Sequence, residues 1–177
     1  MSSINQQQEE KNQEDLKNTD AVNKIKGLAE KASTCFFCTM TGNKPFQTRP
    51  MSVQDVDDQG NIWFLSADDS TLNEQIQLDN KIQLLFQGSA HSDFLAINGI
   101  AAISRDKAKI KEFWGPLLKT WFTEGEDDPR ITVIKVETGD GYYWDNKHGN
   151  AIAFAKMTVG AILGKTMDDS IEGKLQP

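Results

Sequence analysis

Hydrophobic positions show a helical spacing near the start of the chain and a strand-like pattern through most of the remaining residues. Between residues 20 and 31 the apolar residues recur at intervals of three and four, which predicts one amphipathic helix. Three runs rich in aromatic and β-branched residues come next, separated by turn residues: TCFFCTMTG, PFQTRPMSVQDV and NIWFLSA. Short runs of this kind between turns are typical of an antiparallel meander.

The second half of the chain mixes short helical patterns with further strands. Residues 68–79 predict a short helix capped by Asp69 or Ser70, and the runs KIQLLFQ and DFLAINGIAAIS predict a hairpin. Residues 106–120 predict the clearest helix, with a cap at Asp106 and a kink at Gly115-Pro116. ITVIKVETGDGYYWD predicts an edge or closing strand, whereas AIAFAKMTVGAIL fits a strand or a helix.

Runs of adjacent strands with isolated helices predict an α+β fold, in which about six strands form a small closed or split barrel. Residues 1–20 hold one Leu, one Ile and no aromatic residue, so ordering them would bury too little apolar surface to offset the lost entropy. We therefore expect a disordered N-terminal tail over residues 1–20, one domain over 21–164 and a C-terminal tail over 165–177.

The length and the net charge of the chain disfavour some kinds of binding partner. The chain has 177 residues, the size of one domain, and a net charge of −7, so no general electrostatic field draws it to nucleic acid or to an anionic membrane. No apolar window is long enough to span a bilayer, and the first residues do not resemble a leader peptide, so we expect a cytoplasmic protein. Any bound anion must be held by a local cluster of residues.

Cys35 and Cys38 form a C-F-F-C pair, which can indicate thiol redox chemistry or half of a zinc site. The surrounding TCFFCTM is typical of a strand interior, and His91 and His148 lack metal-site spacing. We interpret the two cysteines as buried strand thiols and predict no metal site.

No nucleotide, zinc-protease or serine-hydrolase motif is present, but one region combines an arginine with several hydroxyls. Arg49 lies in TRPMS, Ser66 in the next run, and Ser70 and Thr71 at a helix start. If the two runs pair in a hairpin, an arginine, hydroxyls and a helix N-terminus converge, as a phosphate joined to a flat aromatic group requires. The alternative is that Arg49 is an exposed strand residue and Ser70 only a helix cap.

Several of these segments resemble a known family. TRPM, IWFLSADDSTLNEQI, NGIAAISRDKAKIKEFWGPLLKTWFTEGEDDP and GYYWD are similar, in the same order, to the general stress protein branch of the pyridoxamine-phosphate-oxidase-like flavin proteins. The resemblance covers residues 21–145. It implies a six-stranded antiparallel split β-barrel with flanking helices, a homodimer, and FMN bound in a groove between subunits.

The resemblance also assigns roles to residues. It implies that Arg49 lies near the FMN phosphate, that Pro50 and Met51 run along the ring and ribityl chain, and that further contacts come from Ser66, Ser70, Thr71 and Trp144. Two departures stand out: Leu72 replaces a common lysine, and Asp145-Asn146-Lys147-His148 replaces the basic Arg-Leu-His segment of oxidase members. We therefore do not expect the chain to make pyridoxal phosphate.

Other reactive or aromatic residues have simpler interpretations. His91 and His148 are expected to be solvated loop residues, although His148 can also be a proton donor or an anion contact. Phe113, Trp114 and Trp121 are expected in the core or a dimer contact, and Asp127-Asp128 in a turn.

We thus expect an FMN-binding protein, with flavin-dependent oxidoreductase activity on an unknown small molecule and no identifiable catalytic side chain. The alternatives are a non-catalytic flavin-binding stress protein and a dimeric scaffold without a ligand. A deazaflavin or haem in place of FMN also stays open.

Overall fold

The computed structural model describes residues 12–42, 45–149, 152, 156, 158 and 169–177. The helices with defined bounds are α1 (Asn18–Ala32), α2 (Thr71–Leu78) and α3 (Lys107–Phe113), with 3₁₀ helices at Pro116–Thr120 and Gly125–Asp127. The strands are β1 (Leu16–Lys17), β2 (Thr34–Thr39), β3 (Gln47–Ser52), β4 (Asp55–Val56), β5 (Ile62–Ala67), β6 (Lys81–Gln87), β7 (Phe94–Ser104), β8 (Ile131–Asn146) and β9 (Ser170–Gln176).

The strands form one mixed sheet that divides at β8. Its main order is β1-β9-β8-β7-β6-β2-β3, and every pairing is antiparallel except β1 with β9. β8 pairs with β7 along most of its 16 residues, while its other edge is shared between two strands. Residues 131–136 pair with β5, which in turn pairs with β4, and residues 141–146 pair with β9.

The α+β class is confirmed, but the strand count and the closure of the barrel are not. The described residues form nine strands instead of six, and the sheet is open. The run predicted as one strand over residues 45–56 breaks into β3 and β4, because the Val53 N–H bonds to the Ser33 carbonyl and the Gln54 N–H to the Trp63 carbonyl.

Both predicted tails contain regular structure among the described residues. Leu16 and Lys17 form β1, and α1 begins at Asn18, within the segment expected to be disordered. At the other end, Ser170–Gln176 form β9 where a tail was expected. The reason is tertiary: β1 pairs with β9, and β9 pairs with both β1 and β8.

The N-terminal segment runs parallel to β9 and approaches it closely at Gly173. Glu14 and Glu172 are joined by a backbone hydrogen bond, and the Tyr143 hydroxyl donates to the Glu14 carbonyl at 2.9 Å. A Cβ on Gly173 would lie 1.8 Å from the Glu14 carbonyl oxygen, so only glycine permits this approach.

The caps of α2 and α3 lie where the sequence predicts them. Ser70 caps α2 by accepting from the Asn73 N–H, and Asp106 caps α3 by accepting from two N–H groups. The helix predicted for residues 106–120 stops at Phe113 and resumes as a 3₁₀ helix at Pro116, so the kink is confirmed. Trp121 is 65% exposed, whereas Phe113 and Trp114 pack against a small second core cluster.

The main core lies between α1, α2 and one face of the sheet. The buried α1 residues Ala21, Ile25, Leu28 and Ala29 match the predicted helical stripe. Cys35 and Cys38 are buried free thiols in β2, as expected, and burial raises the pKa of Cys35 to about 12. No group of three metal-ligating side chains occurs among the described residues.

The segment AIAFAKMTVGAIL spans residues 151–163 and lies mostly outside the described residues. Of its members, Ile152, Lys156 and Thr158 are described, and they are helical. Within the described part of the chain, none of the helices has the length and hydropathy needed to cross a membrane.

Candidate functional site

Helix α2 is the element that brings most of the predicted site residues together. Ser70 caps its N-terminus, and the Ser70 hydroxyl lies 3.0 Å from the hydroxyl of Ser66 on β5. Thr71 is the first residue of the helix and is exposed. Two serine hydroxyls and the first turn of a helix therefore lie side by side, an arrangement that favours an anion.

Arg49 reaches the same helix from β3. Its Nη2 donates to the Gln75 side-chain oxygen at 2.6 Å, and its Nη1 donates to the Thr39 hydroxyl at 3.0 Å. The Thr39 hydroxyl in turn donates to Gln75. Gln75 lies five residues after the cap at Ser70, so its backbone lies about 7.5 Å farther along the helix axis, at a rise of about 1.5 Å per residue.

The charge of Arg49 meets only neutral groups in these contacts. Among the described residues, no carboxylate forms an ion pair with it, whereas the other two arginines, Arg105 and Arg130, bind Asp68 and Asp128. Burial lowers the pKa of Arg49, but an arginine pKa starts so high that the group stays charged at neutral pH. A half-buried positive charge with neutral partners is a ready partner for an anion.

The predicted hairpin between the Arg49 and Ser66 strands is wrong. β3 pairs with β2, and Arg49 is opposite Phe37. β5 pairs with β4 and with β8, where Ser66 is opposite Thr132. β3 and β5 are not hydrogen-bonded to each other. Helix α2 links them, because it packs against β5 and β2 and binds Arg49 of β3 through Gln75.

Sequence reasoning missed the residues that support this arrangement. Thr39 and Gln75 hold Arg49, while Asn73 Nδ2 donates to the Thr132 hydroxyl at 2.9 Å and Thr132 donates to the Ser66 carbonyl at 3.0 Å. The buried Oδ1 of Asn73 has no hydrogen-bond partner. The only available signal was a set of polar residues at positions where a helix and two strands carry apolar neighbours.

Pro50 and Met51 lie on opposite faces of β3, because successive strand residues alternate. Met51 is opposite Cys35 and packs against the main core, on the same side as Arg49. Pro50 is opposite Phe36, which is 56% exposed on the other face.

Trp144 is not brought to Arg49 within one chain. The strands β2, β6 and β7 lie between β3 and β8, and cross-strand neighbours place Trp144 on the face of the sheet that carries Phe36. On that face an apolar row crosses the sheet, through residues in register with one another: Pro50, Phe36, Leu85, Ala96 and Tyr142. Trp144 extends this row, with its ring centroid 4.8 Å from that of Tyr142.

Comparison with known proteins agrees with this fold. The family model described as pyridoxamine 5'-phosphate oxidase like matches residues 20–168, which is most of the chain. The chain belongs to this family. The resemblance noted from the sequence is therefore confirmed.

Relatives of known structure carry general stress protein names. A general stress protein 26 from Jannaschia sp. CCS1 has a TM-score of 0.76 at 19% identity, covering 90% of this chain and all of that one. The general stress protein 26 of Bacillus anthracis has a TM-score of 0.60 at 20% identity, covering 69% of this chain and 92% of that one. The general stress FMN/FAD binding protein of Xanthomonas citri has a TM-score of 0.58 at 22% identity, covering 68% and 84%.

A curated relative is similar in sequence over a shorter stretch. The protein bli-3 of Neurospora crassa is 26% identical over 112 residues, which is 59% of this chain. The chain matches only 54% of the length of that relative.

For the loop residues of this pyridoxamine 5'-phosphate oxidase-like protein, some expectations from the sequence are confirmed and one is not. His148 was expected to be a solvated turn residue, but it binds the buried carboxylate of Asp169. Asp127 ends a 3₁₀ turn and Asp128 binds Arg130, so the turn predicted there is confirmed. His91 is exposed, in agreement with the expectation.

Proposed function

We propose that this protein is a cytoplasmic, homodimeric FMN-binding protein, and that the FMN phosphate binds Arg49 and the start of α2. The observation that carries the proposal is the half-buried guanidinium held by neutral Thr39 and Gln75 beside a serine-capped helix. A phosphate would supply the missing negative charge, accept from the guanidinium and interact favourably with the helix N-terminus. The donor set therefore fits the phosphate of the cofactor.

The remaining contacts of FMN follow the strand that carries Arg49. We assign Met51 and Pro50 to the ribityl chain and ring, Ser66, Ser70 and Thr71 to the phosphate end, and Trp144 to the ring from a second copy of the chain. The separation of Trp144 from Arg49 supports this assignment, because one chain cannot supply both. The exposed apolar row that includes Phe36 supports a face-to-face dimer, since solvent-exposed apolar area of this kind is typical of an interface.

When bound, FMN supplies hydride or single-electron chemistry, and the protein supplies position and electrostatics. We infer a flavin-dependent oxidoreductase on a small molecule, in line with the family to which the chain belongs. Production of pyridoxal phosphate is not proposed, because Asp145-Asn146-Lys147-His148 replaces the basic segment expected of oxidase members.

A non-catalytic flavin-binding role is the second candidate, and Leu72 favours it. Leu72 stands where the resemblance leads us to expect a lysine, and it is buried in the main core. The site therefore has one fewer positive charge near the proposed phosphate, which lowers its affinity for the anionic cofactor.

Titration of flavin fluorescence tests the proposal. FMN is expected to bind saturably, with quenching, and riboflavin is the matched probe because it lacks only the phosphate. Binding of FMN at least about tenfold tighter than riboflavin, or about 1.4 kcal/mol, supports a phosphate site. Equal affinities, or no binding of FMN, would contradict it. Stopped-flow reduction of the bound flavin by NADH or NADPH then separates an oxidoreductase from a pure binding protein.

A further inference from the structure

A buried carboxylate gathers three donors at the base of the connection between β8 and β9. Asp169 has a fully buried side chain, and it accepts from His148 Nδ1 at 2.7 Å and from Lys156 Nζ at 2.7 Å. Its second oxygen accepts from the His148 backbone N–H at 3.0 Å. Burial opposes the charged form, but the bonds from Lys156 and His148 hold the pKa of Asp169 at about 2.

This geometry determines which nitrogen of the imidazole carries the proton. Two groups face Nδ1: the Asp169 carboxylate at 2.7 Å and the Lys156 ammonium at 3.4 Å. Because the nearer group, the carboxylate, only accepts hydrogen bonds, we assign Nδ1 as the donor and Nε2 as the nitrogen with a lone pair. The His148 side chain is 53% exposed, so the ring is accessible. The same Asp169 oxygen also accepts from Lys156, so the histidine and the lysine share one carboxylate. An imidazole oriented by a buried carboxylate is the arrangement of a general base.

The cluster lies at the same end of β8 as Trp144. The ladder between β8 and β9 runs from Trp144, opposite Glu172, to Asn146, opposite Ser170, and the Lys147 N–H then bonds to the Asp169 carbonyl. His148 comes four residues after Trp144, within about 13 Å even for a fully extended chain. A planar molecule on the exposed ring of Trp144 can therefore reach this end of the strand.

We propose that His148 is a general acid–base residue for a small planar ligand with an ionisable ring oxygen or nitrogen, bound at the Trp144 end of β8. Asp169 and Lys156 are positioning residues. In the step, the ligand O–H or N–H bond breaks and the proton forms a bond to Nε2, while the Nδ1 proton stays on the imidazole. Asp169 stabilises the resulting imidazolium, no electron is transferred, and the reverse step returns the proton. The inference rests on the proposed function only in using Trp144 as the ring platform.

The tautomer of His148 is the first test, and it requires no flavin. Nitrogen NMR of the imidazoles is expected to show His148 as a single Nδ1–H tautomer, whereas His91, the chain's other histidine, shows the ordinary mixture. Asp169→Asn is expected to shift His148 toward the behaviour of His91. Identical tautomer signatures for the two histidines in the wild-type protein would overturn the dyad.

The second test uses 4-nitrophenol, whose phenolate absorbs visibly, at a pH where the free phenol is half ionised. Wild-type protein is expected to raise the phenolate fraction on binding. His148→Asn keeps an amide N–H that can bond to Asp169 but has no titrating nitrogen, so it is expected to bind the phenol without the rise. Trp144→Ala is expected to weaken binding by about tenfold, the upper range for an aromatic pair.

An unchanged rise in His148→Asn, or no binding of the phenol by wild-type protein, would overturn the proposal. FMN titration of the same variants keeps the two proposals apart. His148→Asn is expected to bind FMN as wild type does. Failure of wild-type protein to bind FMN contradicts the proposed function alone, since the NMR and phenol measurements still decide the role of His148.

Discussion

Arg49 and Arg130 are both partly buried arginines, yet their surroundings differ in charge. Arg130 donates to both oxygens of Asp128 and to the Trp121 carbonyl, and its guanidinium lies 5.9 Å from the Phe122 ring. Arg49 donates to a threonine hydroxyl and a glutamine oxygen. One guanidinium is neutralised inside the fold, and the other keeps its full charge.

The difference is the basis of the anion site proposed for this acidic protein. Arg130 has a structural task, because with Asp128 it closes the turn that leads into β8. Arg49 is positioned without being neutralised, so its field is available to a ligand at α2. The type of partner, and not the presence of an arginine, is therefore what leads us to propose a binding role for Arg49 and not for Arg130.

The largest expected effect is on FMN affinity. Arg49→Ala is expected to weaken FMN binding by about 1.5–3 kcal/mol, the range for a hydrogen bond to a charged group, which is roughly tenfold to 150-fold in Kd. Arg130→Ala is the matched control, and it is expected to lower the urea midpoint while leaving the FMN Kd unchanged. Fluorescence titration of both variants checks this. An unchanged Kd for Arg49→Ala would remove Arg49 from the site.

Loss of the helix cap is expected to come next. Ser70→Ala removes the acceptor for the Asn73 N–H and is expected to cost about 1 kcal/mol of stability. Asp106→Ala removes the cap of α3 and is the matched control with a similar cost. Only the Ser70 variant is expected to weaken FMN binding as well, as measured by urea unfolding together with flavin titration. Equal effects of the two variants on the Kd would mean that Ser70 is only a cap.

The support of Arg49 is expected to matter less than its charge. Gln75→Ala removes the neutral acceptor of Arg49 and Thr39 but leaves the charge of Arg49 in place, so the FMN Kd is expected to rise by about two- to tenfold, for about 0.5–1.5 kcal/mol. Gln77→Ala, at an exposed position of the same helix, is expected to leave the Kd unchanged. A loss in Gln75→Ala as large as in Arg49→Ala would show that position, and not charge, limits binding.

The pH dependence of stability tests the ion pair between Arg130 and Asp128. The hydrogen bond from Arg130 lowers the pKa of Asp128 below its ordinary value of 3.8, although burial opposes this. A carboxyl whose pKa is depressed on folding stabilises the protein above its unfolded pKa, and that contribution is lost as the pH falls through the folded pKa. Urea unfolding is therefore expected to show a smaller loss of stability below pH of about 4 in Asp128→Asn than in wild type. Arg49→Ala is expected to keep the wild-type loss, because no carboxylate among the described residues pairs with it, and a reduced loss in that variant would contradict the comparison.

The sequence predicted most helices and strands correctly, because these elements depend on residues that are close together in the chain. The α1 stripe, the caps at Ser70 and Asp106 and the β6–β7 hairpin each depend on residues close in sequence, and all are present. β1 was missed because it has only two residues, and β9 was missed because Gly173 weakens the alternation of Ile171 and Leu175. Their pairing joins residues more than 150 positions apart, which no local pattern reports.

In the candidate site, too, the sequence identified residue types but not the contacts between distant residues. Arg49, Ser66 and Ser70 were identified from residue type, but the strand pairing inferred for them was wrong, and Thr39, Gln75 and Asn73 were missed. Asp169 was not identified as the partner of His148, because 21 positions separate the two residues and the contact forms only when β9 returns beside β8.

By itself the sequence determined the fold class, the family, the caps of α2 and α3 and the arginine with its hydroxyl neighbours, because spacing and residue type are local properties. The tertiary structure alone decided that Arg49 is held by neutral groups, that Trp144 lies across the sheet from it, and that a carboxylate orients His148. Charge compensation and orientation depend on distances between atoms far apart in the chain, and strand register and helix packing set those distances.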